Sequence, residues 1–154
     1  MRIGCFLLVL FINLANAEQA LLSAVWAEQY IKKNHPHLLD DSEHDHVMSL
    51  YYFGHSGQRH LMGLERVRGD DYIQYFTLLL FEDEVLLGYY ENIFSFPLSI
   101  TNDGEVNFPL GVEGQLKKSK QPLNINILSK KIEPLCLQQR EVSECYRWQP
   151  VPAK

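Results

Sequence analysis

Four segments rich in β-branched and aromatic residues follow one another with only a few residues between them: 47–53, 59–67, 72–81 and 85–90. The spacers are turn-like, namely Gly54-His55-Ser56-Gly57, Arg68-Gly69-Asp70-Asp71 and Glu82-Asp83-Glu84. A parallel crossover needs a dozen or more residues, so spacers this short force each segment to run antiparallel to the one before it. The segment 72–81 is apolar at consecutive positions (Phe76, Leu78, Leu79, Leu80, Phe81), which suits a central strand covered on both faces. Gly88 interrupts the fourth segment and marks a bulge or a close approach of another backbone.

The pattern continues more weakly downstream. Asn102-Asp103-Gly104 lies between two β-like runs, 96–101 and 105–108, and Asp-Gly in that setting signals a hairpin. Residues 109–122 show no clear period, whereas Leu123, Ile125 and Ile127 alternate with asparagines as in a half-buried strand. Residues 18–34 instead carry a helical stripe, with Leu22, Val25, Trp26 and Tyr30 at three- and four-residue spacing, ended by Asn34-His35-Pro36. The predicted fold is α+β: an N-terminal helix packed on a curved antiparallel β-meander of about six strands, a small antiparallel β-barrel being the alternative.

The first residues read as an address. Arg2 gives a positive start, residues 3–14 are nearly all apolar, and Ala15-Asn16-Ala17 is the small-x-small pattern of a cleavage site. Residues 1–17 are therefore expected to be a signal peptide, leaving 18–154 as a single domain. The apolar stretch is short for a membrane span, which takes about 20 residues, and no later stretch is long and apolar enough, so the mature part is expected to lack a transmembrane segment. A periplasmic or secreted protein follows, and the absence of an Asn-x-Ser/Thr sequon agrees best with a bacterial one. In such an oxidising compartment the two cysteines left after cleavage, Cys136 and Cys145, are expected to pair and to pin the C-terminal tail.

The chain of 154 residues has a net charge of −5 and no basic face in its sequence, which argues against a nucleic-acid partner. Five lysines in the later part, at 117, 118, 120, 130 and 131, read as a solvated loop more readily than as an anion site. Two His-x-His pairs, 35/37 and 44/46, sit among acids. In an extended segment His44 and His46 share a face, so zinc or another divalent transition metal is conceivable there, although no cofactor is expected. Gly54-His55-Ser56-Gly57 has a superficial likeness to a nucleophile elbow, but Gln58 and the strand-turn-strand context speak for a turn. The carboxylates Glu65, Glu82, Asp83, Glu84 and Glu91 have nothing that would separate their pKa values for acid-base work.

Aromatics dominate the strand region. Neighbours in a strand point to opposite faces, so Tyr51/Tyr52 and Tyr89/Tyr90 each send one ring each way. Tyr51, Tyr52, Tyr89 and Tyr90, with Phe94, are the candidate binding residues. They point to a non-enzymatic exported protein that binds another protein in the cell envelope, such as an inhibitor, an immunity protein or an accessory factor of envelope assembly or sensing. The alternatives are a barrel that carries an apolar small molecule on Phe76, Leu78, Leu80 and Leu87, and a small cell-envelope hydrolase.

Overall fold

The computed structural model describes residues 25–42, 44–109, 124–139 and 142–152. The expected signal peptide, the first turns of the expected helix and the lysines at 117, 118 and 120 lie outside them. The chain divides into two compact units, one reaching to Asp40 and one running from Asp41.

In the first unit, residues 25–34 form an α-helix and Pro36–Leu39 a turn of 3₁₀ helix. Proline at the start of the second element needs no amide partner there, which is why the chain can restart helically just after it stops. The buried stripe is Ala27 and Ile31, one turn apart, while Val25 is exposed. The Trp26 and Tyr30 rings meet at a tilt, with centres 5.2 Å apart, and Glu28 pairs with Lys32 across one turn. No described helix is long and apolar enough to cross a membrane.

The second unit is an antiparallel meander with two small sheets beside it. Strands β1 (Asp45–Ser56), β2 (Arg59–Arg68), β3 (Ile73–Glu82) and β4 (Val85–Ile93) pair in sequence order. Residues 94–109 then leave this sheet. Strands β5 (Ser99–Ile100), β6 (Glu105–Asn107) and β7 (Asn124–Asn126) form a second sheet, and β8 (Leu135–Gln139) pairs with β9 (Val142–Tyr146) in a third. The last strand, β10 (Gln149–Pro150), returns to the meander and pairs with β4. The described residues thus hold ten strands in three sheets, more than the six or so expected, because the segments after 94 break into short hairpins and the tail forms strands of its own. The barrel alternative is not realised: the sheet runs β1-β2-β3-β4-β10 and stays open.

β3 is the central strand, as its sequence suggests, and every residue from Tyr75 to Phe81 is buried. Phe76, Leu78 and Leu80 point into a core shared with Leu61 and Tyr90 of the meander, Val106, Phe108 and Ile127 near the second sheet, and Leu135, Leu137 and Tyr146 of the third. Burying a leucine of this kind stabilises the fold by roughly 1.5–3 kcal/mol. Gly88 is the close approach it was expected to mark. A Cβ there would lie 2.4 Å from the Gln149 carbonyl oxygen and 2.4 Å from the Trp148 ring, so only glycine lets β10 reach β4.

Cys136 and Cys145 stand directly opposite each other in the β8–β9 pair and are joined as a disulfide. They tie one hairpin together. What holds the tail to the rest is apolar burial of Leu135, Leu137 and Tyr146, and the seating of Trp148 on Tyr90.

Candidate binding surface

The longest strand lies at the rim. β1 has twelve residues and is the first strand of the meander; among the described residues, no strand pairs with its outer side. Its start is covered by its own chain: the Asp41 carboxylate accepts the Val47 amide at 2.8 Å, and Ser42 and Asp45 exchange two backbone hydrogen bonds. Irregularities between Val47 and Ser49 and between Tyr52 and Gly54 leave Ser49–Tyr52 as the regular stretch between them. Exposed apolar side chains flank and occupy that stretch, Met48 at 58% and Tyr51 at 40% relative exposure.

Tyr51 belongs to an aromatic group on one face of the sheet. Phe96 lies over Phe76 with ring centres 3.6 Å apart, and Tyr51 and Phe53 each meet Phe96 edge-on at 4.9 Å. Gly63, opposite Tyr51 on β2, leaves the space: a Cβ would lie 2.5 Å from Phe53. The Tyr51 hydroxyl donates to Glu65 at 2.6 Å, and the Gln74 amide donates to the other oxygen of the same carboxylate. The hydrogen bond to Glu65 holds the Tyr51 phenol above its ordinary pKa. The result is an exposed ring with its polar end fixed and its apolar side resting on packed phenylalanines, a rigid anchor of the sort protein interfaces favour.

The other candidates are distributed differently. Tyr90 is 2% exposed and belongs to the core; its hydroxyl donates to the Glu133 carbonyl at 2.6 Å, and burial raises its pKa. Phe94 is half-buried against that core, 6.2 Å from the Tyr146 ring. Tyr52 and Tyr89 are half-buried and stand in one cross-sheet row, Tyr52–Met62–Leu79–Tyr89, on the face opposite Tyr51. The sheet therefore separates the five residues instead of gathering them into one patch. The apolar positions Phe76, Leu78 and Leu80 are packed with side chains from the smaller sheets.

The polar candidates are mostly engaged. Ser56 is buried and donates to the Asn102 carbonyl at 2.6 Å. Glu82 pairs with Arg59, and Glu91 accepts from Gln149. Lys131 pairs with Glu133. His44 and His46 are exposed at the start of β1, and no group of three or more histidines, cysteines and acids that could hold a metal occurs among the described residues.

Two polar constellations come only from the three-dimensional structure. At the open end of the β1–β2 pair, the Asp45 carboxylate receives Arg66 at 2.8 Å, Arg68 at 3.3 Å and the Tyr75 hydroxyl. Arg68 also donates to Asn92 and lies 4.3 Å above the Tyr75 ring. Burial on its own raises the Asp45 pKa, but the hydrogen bonds from Tyr75, Arg66 and Arg68 together bring it below the ordinary value. At the turn end, His55 and His60 are directly opposite, with ring centres 5.4 Å apart, and Tyr52 Oη lies 3.1 Å from His60 Nδ1. Burial first, and then the neighbouring His55, lower the His60 pKa. The sequence signal for this second pair is present: His55 and His60 are equidistant from Gly57-Gln58, so a two-residue hairpin loop places them face to face. Compared with known protein families, curated proteins and solved structures, the chain matches none.

Proposed function

We propose that the protein is exported and acts without catalysis, by binding another protein of the cell envelope as an inhibitor, an immunity protein or an accessory factor. The observation that carries this reading is the rim strand β1, which presents the regular stretch Ser49–Tyr52 and the exposed side chains of Met48 and Tyr51 on its open side. An extended segment of a partner placed there gains main-chain hydrogen bonds for affinity and the Tyr51 ring for selectivity. The irregularities on either side limit pairing to a short stretch, which restrains indiscriminate edge-to-edge association. The Cys136–Cys145 pair agrees with export, since such bonds persist in oxidising compartments.

Replacing Tyr51 by a photo-crosslinking phenylalanine analogue in the producing cell tests this. Val85 is also exposed and starts β4, which two strands separate from β1 in the sheet, so it serves as the control position. Irradiation is expected to give a protein adduct from position 51 and none from 85. The combined change Tyr51→Ala and Met48→Ala is expected to lower capture of that partner at least tenfold while the melting midpoint stays within a few degrees. No adduct at 51, or equal adducts at both positions, would overturn the reading.

A further inference from the structure

The turn end of the β1–β2 hairpin carries a second feature, independent of the rim. His55 and His60 occupy directly opposed positions, and such partners bring their Cβ atoms to about 4.5–5.5 Å. Their rings are 5.4 Å apart and inclined by 32°. Two imidazoles that share one metal ion through nitrogens at about 2.0–2.1 Å, at a tetrahedral angle, place their ring centres roughly 5 Å apart. The observed separation is close to that value, so the two rings stand at the spacing that sharing one ion requires.

The second nitrogen of each ring is also held as a metal ligand requires. His55 Nδ1 faces the Gly57 carbonyl at 3.4 Å. A carbonyl only accepts, so this contact favours the proton on Nδ1, which in the neutral ring leaves the lone pair on Nε2. His60 Nδ1 is 3.1 Å from the Tyr52 hydroxyl, which can serve in either role and accepts once Nε2 is taken by a metal. Ligating histidines typically have such an oxygen partner on the far nitrogen, which fixes the ring and its tautomer. Among the described residues, neither Nε2 has a hydrogen-bond partner. The β3–β4 turn adjoins this end, where the Asp83 amide donates to the Gln58 carbonyl, and its carboxylate adds negative charge near His60.

We infer that His55 and His60, with Tyr52 as a positioning residue, form a binding site for one divalent transition-metal ion of the copper, nickel or zinc class. Imidazole suits these ions, and affinity is expected to be highest for copper(II). Among the described residues no third histidine, cysteine or acid completes a protein ligand set, so the remaining positions are left to water or to an incoming donor. This makes the site an exchangeable one, unlike the closed four-ligand sites that hold structural zinc.

The test uses the purified protein without an affinity tag, titrated with copper(II) and separately with zinc(II). Calorimetry is expected to show one ion that is bound more weakly by at least tenfold after His55→Gln or His60→Gln. Electron paramagnetic resonance of the copper form is expected to show two coordinated imidazole nitrogens in the wild type and one in either single variant. Tyr52→Phe is expected to weaken binding about tenfold while keeping both nitrogens, the signature of a partner on the far side of a ligand. The change His44→Gln with His46→Gln should leave binding at this site intact. Circular dichroism of each variant separates lost ligands from lost folding. Unchanged copper affinity in the folded His55→Gln, His60→Gln double variant, or loss confined to the 44/46 variant, would overturn the assignment.

Discussion

The two ends of the β1–β2 pair carry polar clusters of opposite character. Arg66, Arg68 and His60 are all at even positions of β2 and so share one face of the sheet, yet their partners differ. At the open end one carboxylate takes donors from two guanidiniums and a phenol, and every group in the cluster is occupied. At the turn end two imidazoles each have one nitrogen engaged and one with its lone pair available or readily made so. The same ladder geometry thus makes a clasp in one place and a receptor in the other. What decides is stoichiometry of donors and acceptors, since a set that satisfies itself has nothing left for a ligand.

The largest expected effect falls on the clasp. Asp45→Ala leaves Arg66, whose side chain is only 11% exposed, beside Arg68 without the shared anion. Removing one partner of a buried pair costs about 3–5 kcal/mol; with Asp45 itself 23% exposed, about 2 kcal/mol is expected from urea denaturation. If Asp45→Ala costs no more than His60→Gln, the contrast between the two ends is lost. Tyr75→Phe should come next, at about 1 kcal/mol, because it removes one hydrogen bond to a charged group and keeps the ring under Arg68.

The clasp also sets a pH dependence. Its carboxyl has a folded pKa below its unfolded value, so its contribution is fully present above about pH 4 and is lost as the pH falls through the lowered folded value. Asp45→Asn is expected to be less stable at neutral pH and to show a flatter acid limb in denaturation midpoints measured between pH 5 and 2. An unchanged acid limb would place the acid-sensitive group elsewhere. The smallest effect is expected at Arg68→Lys, a loss of about 0.5 kcal/mol, because the stacked, half-exposed guanidinium is replaced by an ammonium that matches neither the Tyr75 ring nor Asn92 as well.

The meander was readable because its connections are short. Gly57-Gln58, Asp83-Glu84 and the turn after Arg68 leave no room for any other pairing, and β3 announced its central place by apolar residues at consecutive positions. The tail was harder. Leu135 and Leu137 alternate with Cys136 and Gln138 as a half-buried strand does, yet the run is brief and the cysteine pair suggested a pinned loop. The tyrosines show where local pattern stops. Alternation says that Tyr89 and Tyr90 point apart, but Tyr90 is in the core because strands distant in sequence, β6, β8 and β9, contribute to the cover of its face. His55 and His60 are a symmetric pair about Gly57-Gln58, legible in the sequence once the loop is two residues long, whereas a four-residue turn over 54–57 hides the pairing.

Gly88 has a consequence for the margin of the sheet opposite β1. By admitting Trp148 and Gln149 against β4, it lets the chain's own end cover that margin from Leu87 to Tyr89, where Val151 is bonded to Leu87. β10 is itself the last strand of the sheet, two residues long and ending in proline, which has no amide to donate. The two margins of the sheet are therefore unlike: β1 keeps a regular stretch at Ser49–Tyr52, whereas the margin beside Gly88 and Tyr89 ends in a strand too short to serve as its match.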